Sequence, residues 1–250
     1  MNNQKLVACM LDMGEILLIS GAEVNRIEDT LMRIGYAYHF QRVDVFTITS
    51  SIVLTVHTEA GNIITQTRRI KGVRVDMERV NQINCLSRYM CKELPKLAYV
   101  EAEIERIKQI QGYPEAVIVL AYVMVAASFT VFFGGDYLDA LAAGVAAVVL
   151  RFMIRIGQRI KMNVLFLNMM SSGMVGIVVM LFVWLGIGHS IDQIVIGNVM
   201  LLIPGLGLTS SLRDMISGDI ISGMLGITES VLNAIAIAMG FAVLLIQIGG

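Results

Sequence analysis

The charged residues of this chain are partitioned, and the partition decides what it can fold into. Of 39 charged side chains, 27 fall in residues 1–113 and 12 in residues 114–250. Residues 116–135 and 162–191 carry no charge, and 220–248 carry only Glu229. A helix of about 20 such residues rises about 30 Å, the thickness of a bilayer's hydrocarbon core. The whole chain is 16% charged, against about 25% for soluble domains. The first half is composed for water and the second for lipid, with the boundary near Tyr113-Pro114.

The expected fold is an α-helical membrane bundle of about five transmembrane helices behind an N-terminal α+β cytosolic domain. Residues 1–113 form the cytosolic domain and 114–250 the transmembrane domain, with spans near 116–135, 138–154, 163–185, 193–212 and 220–248. Span two is the shortest, because Arg151 is placed to snorkel from its end. Short loops rich in Lys and Arg stay on the cytosolic side. Arg155, Arg159 and Lys161 follow span two and Arg213 follows span four, whereas the loops 134–137 and 186–192 have neither residue type. The N-terminus is therefore expected in the cytosol and the C-terminus outside, in a multi-pass protein of the bacterial inner membrane. The opening stretch is broken by Asp12 and Glu15 and lacks the apolar core of a cleavable signal.

Polar groups inside spans are costly unless satisfied, which makes each one informative. In span five Ser222, Gly226, Glu229, Asn233, Ala236 and Gly240 recur at alternating spacings of four and three, one helix face of small and polar groups. Glu229 lies about nine residues, or ~14 Å, from the cytosolic end of that span. Its carboxylate suits a proton carrier or the partner of a substrate amine. Asn168, Ser172 and Gly176 share one face of span three. Span four holds Asn198 and then Pro204-Gly205-Leu206-Gly207. Pro204 cannot donate a backbone hydrogen bond to Met200, so the helix is expected to break there. Broken helices near mid-membrane expose backbone groups to a transported solute, although small residues also serve close helix packing.

The first half reads as helix over residues 4–36 with a kink or restart at Ser20-Gly21-Ala22-Glu23. Glu23/Arg26 and Asp29/Arg33 stand at ion-pair spacing along it. Strands follow at 43–49, 52–56 and 63–67, with a turn at Glu59-Ala60-Gly61-Asn62. A helix opens behind Asp76 as N-cap, and another runs from Pro95 toward Gln111. Cys9, Cys85 and Cys91 fit no metal spacing and read as reduced thiols.

Chemistry is sparse. The chain has no GxxxxGK[ST] phosphate loop and no GxSxG elbow. A net charge of −1 offers no basic field for nucleic acid. Ser50-Ser51 with Asp44 and His57 can be drawn as a hydrolase triad, a reading that needs geometry to support it. No cofactor is implied.

Leu17-Leu18-Ile19-Ser20-Gly21-Ala22-Glu23 with Arg26 and Glu28, then the strand Val43–Thr49, resembles the N-terminal domain of the threonine/serine exporter family. Gly134-Gly135-Asp136 with Asp139-Ala140, and Gly197, Pro204-Gly205, Arg213-Asp214 and Gly218-Asp219, are similar to its membrane part. The resemblance implies a secondary exporter of small amino acids driven by a proton or ion gradient. Long members join two membrane halves, and this chain is similar to the split branch. The resemblance therefore implies a second small integral-membrane subunit, with a higher oligomer left open and a dicarboxylate such as succinate as another substrate. It also implies that Asn198, Pro204, Gly205, Arg213 and Asp214 line or gate the pathway. Asn168, Ser172, Glu229 and Asn233 join that set from the spans. The alternative is a membrane-anchored regulatory or sensory module whose cytosolic domain binds a ligand.

Overall fold

In the computed structural model, residues 2–72 and 74–248 are described, with side chains through Ala242 in the last helix. The end of the chain at 249–250, where the external C-terminus is expected, lies outside the described residues. The chain divides into two compact units, Met1–Gln111 with Leu206–Ile227, and Gly112–Gly205 with Thr228–Gly250.

The first unit opens with α1 (Asn3–Ile19) and α2 (Val24–Ala37). Gly21, at φ +83°, turns the chain between them, a left-handed backbone that glycine adopts without penalty. Of the expected kink or restart, it is the restart that forms, with α2 beginning afresh at Val24. Strands β1 (Arg42–Ile48), β2 (Ser51–His57) and β3 (Ile63–Arg69) form an antiparallel sheet in sequence order. Ile52, Leu54 and Val56 alternate inward along β2, as a half-buried strand requires. They meet Leu6, Met10, Met13 and Leu17 of α1 and Ile27, Leu31 and Ile34 of α2 in one core. Helices α3 (Met77–Glu93) and α4 (Leu97–Lys108) pack beside α1. Asp76 caps α3 by accepting the Arg79 N–H at 3.1 Å. Cys9, Cys85 and Cys91 are free thiols, and burial pushes Cys9 up to about 11.

The membrane helices are α5 (Glu115–Phe132), α6 (Tyr137–Arg159), α7 (Val164–Trp184), α8 (Ile191–Leu202), α9 (Gly205–Ile216) and α10 (Ile220–Ile248). Four of these, α5, α6, α7 and α10, are long and apolar enough to cross a membrane, and the bent pair α8–α9 makes a fifth when counted as one span. The helix from span two is not short: α6 runs on past Arg151 to Arg159. Arg151 does not end it, because Glu115 at the start of α5 takes the guanidinium in two hydrogen bonds of 2.8 and 3.0 Å. Tyr122 lies under the same group, 5.7 Å away. A paired, stacked arginine can stay within a helix where a lone one would have to reach for water.

Small residues set the spacing within the second unit. Ala126, Ala142, Ala143, Ala146 and Ala147 are fully buried where α5 and α6 meet. Helices associate in lipid by such close contact, since apolar burial alone gains nothing against acyl chains. Where α7 meets α10, a side chain at Gly240 would collide with the Ser172 hydroxyl and the Met169 carbonyl. Gly240→Leu is expected to destabilise the detergent-solubilised protein by about 2 kcal/mol, the cost of overpacking. The same substitution at exposed Ala234 should leave the thermal midpoint within about 1 °C.

Candidate functional site

Pro204 breaks the fourth span where expected. α8 ends at Leu202, Ile203 is extended (φ −61°, ψ 125°) as a residue before proline prefers, and α9 begins at Gly205 with its axis turned 53°. Pro204 is half-buried and Gly205 exposed. Asn198, one turn before the break, is fully buried. Its amide donates to the Ala143 carbonyl of α6 at 3.3 Å and to the Ile194 carbonyl at 3.0 Å. Its own Oδ1 has no partner among the described residues. Asn198 therefore ties α8 to α6 and leaves one acceptor unsatisfied in the bundle.

Asn168, Ser172 and Asn233 come together. The Asn168 amide donates to Asn233 Oδ1 at 2.9 Å, and Asn233 in turn donates to the Glu229 carbonyl at 3.0 Å. Ser172 donates to the Met169 carbonyl at 3.0 Å and rests against Gly240. The two stripes predicted on spans three and five thus face each other as a packed, hydrogen-bonded seam.

Glu229 departs from that seam. Ser222, Asn233, Ala236 and Gly240 on the same stripe are buried, but Glu229 is exposed. The cause is that α10 packs in two stretches. Gly223 and Gly226 lie against Met215 and Ser211 of α9, and Asn233 to Gly240 lie against α7. Glu229 falls after the first stretch and before the second, with no side-chain partner among the described residues.

Arg213 and Asp214 form a second cluster with the start of α2. Arg213 pairs with Glu23, and buried Asp214 accepts the Val24 N–H at 3.2 Å. Glu23 gives its own helix no side-chain cap; Asp214 supplies one from 190 residues away. A carboxylate suits that place, because the first N–H groups of a helix lack partners and carry its positive end. Glu28, one turn further on, accepts the Thr47 N–H at 2.7 Å. Burial raises its carboxyl above the ordinary range, the Thr47 N–H works against that, and Asp219 adds to the rise.

Two features were not anticipated from the sequence. Glu23 meets Arg213 rather than Arg26, since the pairing is long-range; Asp29 and Arg33 do pair as their spacing suggests, at 2.9 Å. Asp139 is only 1% exposed and receives the N–H groups of Asp136, His189 and Ser190. The Asp136-x-x-Asp139 spacing is a capping box, a signal that the sequence does carry. The Asp139 N–H holds the Asp136 carboxyl below its usual range, with His189 adding to the effect. Asp136, Asp139 and His189 sit within metal-ligand reach of one another. The Asp139 oxygens are already committed to backbone donors, so the group reads as a loop clamp. The hydrolase reading fails on geometry: Ser51 and His57 stand at opposite ends of β2, about 20 Å apart at strand rise.

Removing the Asp214 cap in Asp214→Ala should cost about 1 kcal/mol locally. Hydrogen exchange at the Val24 amide is then expected to quicken about fivefold, with β2 amides unchanged. Glu28 gives a pH test. A carboxyl raised in the fold stabilises it fully below the unfolded pKa and loses that contribution as pH rises through the folded value. Glu28→Gln should therefore melt higher than the parent at pH 7, and the gain should vanish near pH 4 (about the unfolded value).

Searches of curated proteins and of solved structures return no match for the chain. A family model, ThrE, described as "Putative threonine/serine exporter", matches residues 8–248. That match covers both units and every residue of the two clusters, and the family is one of transporters rather than enzymes. With its apolar helices, the chain is a multi-pass membrane protein that belongs to the threonine/serine exporter family.

Proposed function

We propose that this chain is a subunit of a secondary exporter, driven by a proton or ion gradient, that moves threonine and serine or a small dicarboxylate such as succinate. Residues 1–113 act as its cytosolic domain and 114–250 as its membrane domain in the bacterial inner membrane, N-terminus inside and C-terminus outside. Family membership supports amino-acid export. The observation that carries the finer reading is Glu229, an exposed carboxylate, unpaired among the described residues, within the span Ile220–Ala242. A charge facing acyl chains is costly, so the side chain calls for water or a second protein surface beside it. A second small membrane subunit covering that face of α10 meets the need, and a carboxylate in such a place can take and release a proton.

The other pathway residues have graded roles in this reading. Pro204 and Gly205 give the broken helix a hinge, Asn198 anchors its outer half, and Arg213 with Asp214 holds its cytosolic end. Asn168, Ser172 and Asn233 keep α7 and α10 together beside the path.

The test is uptake of labelled threonine, serine and succinate into inverted vesicles, with and without the second subunit and with and without an ionophore. Uptake of one solute that needs both subunits and collapses with the gradient is expected. Glu229→Gln should cut that uptake at least tenfold and flatten its pH dependence. Parental pH dependence in that variant would remove Glu229 from coupling. Absence of uptake under every condition, in vesicles holding folded protein, would overturn the exporter reading itself.

A further inference from the structure

A groove of about 430 Å³ lies between α2 and α3 in the first unit, and nothing in the transport reading uses it. Helical periodicity builds both walls. Arg26, Asp29 and Arg33 recur at three and four along α2; Asn84, Arg88 and Lys92 recur at four along α3. Four cations therefore face one carboxylate.

The pairing within the groove is incomplete. Asp29 is committed to Arg33 in an ion pair at 2.9 Å whose side chains are 49% and 73% exposed, respectively. Lys92 pairs with Glu93, outside the lining. Arg26 has no ion-pair partner among the described residues. Arg88 uses only Nε, to the Asn84 carbonyl at 3.2 Å, which leaves the terminal nitrogens of its guanidinium without a described partner. Asn84 is 8% exposed, lines the groove, and its side-chain amide has no hydrogen-bond partner among the described residues. The amide is not sealed from water, so it is open to whatever enters the groove. Its company here is two guanidinium groups with open donors.

From this geometry we propose that the α2–α3 groove binds a small soluble dianion, carrying carboxylate or phosphate groups, as a ligand of the domain. Guanidinium groups take planar carboxylates or phosphates through two parallel hydrogen bonds, and the Asn84 amide adds a neutral contact from the floor. One solvent-exposed ion pair is too weak to hold a monoanion, so the ligand must reach Arg26 and Arg88 together. The volume falls in the range of metabolite sites. No aromatic side chain is among the described lining residues, so the groove lacks a stacking platform for a nucleobase. This assignment does not depend on what the membrane helices transport.

Calorimetric titration of the full-length protein in detergent, with succinate and separately with inorganic phosphate at ionic strength fixed by chloride, tests it. Saturable binding of at least one probe is expected, and which probe binds distinguishes a carboxylate from a phosphate ligand. Arg26→Gln with Arg88→Gln should weaken it at least tenfold. Asn84→Asp, nearly isosteric but anionic, should do the same, and gives a second route should the double variant misfold. Arg42→Gln, whose arginine pairs with Asp44 on β1 outside the groove, should leave it within twofold. Failure of both probes to saturate would overturn the proposal. So would binding that survives in both groove variants, because the ligand would then sit elsewhere, for instance at a transport site.

Discussion

Hydrocarbon offers no hydrogen bonds, and the packing of the second unit is arranged largely around that fact. Thr130 returns its hydroxyl to the Ala126 carbonyl at 2.8 Å and Ser172 to Met169 at 3.0 Å. Asn168 and Asn233 answer each other across two helices. Arg151 is held by Glu115 and Tyr122. Each solution needs helices close together, which is why alanine and glycine fill the same interfaces: short side chains bring the backbones within reach, and the polar groups fix the register. Ser171 Oγ, Asn198 Oδ1 and the Glu229 carboxylate are places where the rule is not met by the described residues, the first two before the Pro204 break in sequence and the third after it. An unsatisfied polar group is costly in lipid, which is what singles these positions out as functional candidates.

The first unit follows a different logic. Its core is an ordinary three-stranded sheet under helices, closed by apolar residues of α1 and α2. What distinguishes it is that α9 and the first turns of α10 belong to it as well. Asp214 takes the place of a side chain that α2 lacks, and Arg213 holds Glu23 beside it. A helix N-terminus capped by a residue from a distant segment is a contact that either segment alone cannot make, so the order of α2 and of α9 is linked.

The sequence made the lipid-facing half legible, because a charge-free run of membrane length is at home in lipid and almost nowhere else. The break at Pro204 was legible for a similar reason: one missing N–H has one local outcome. The α5–α6 region was harder. Arg151 looks like the end of a span until Glu115, 36 positions earlier, is known to lie against it. Helical spacing correctly grouped Asn168 with Ser172 and Asn233 with Gly240, yet it could not say that the two stripes face each other. Nor could it say that Glu229 stands outside the contact, since periodicity gives a face and not what covers it. Glu23 shows the limit most sharply: its local spacing suggested Arg26, and a partner 190 residues away took it.

That exchange of partners has a consequence within α2. Had Glu23 paired with Arg26 and Asp29 with Arg33, the helix would carry a self-neutralised face of little interest. Because Arg213 takes Glu23, Arg26 is left over, and it turns toward α3, where Arg88 is also without a carboxylate. The contact that secures the start of α2 to α9 and the cationic surplus in the groove are thus two results of one substitution of partners. By linkage, an anion held at Arg26 and the pairing of Glu23 with Arg213 favour each other: a ligand that occupies Arg26 removes the competing partner three residues from Glu23. Were the groove occupied as proposed, α2 would link that occupancy to the order of α9, since both helices belong to the first unit.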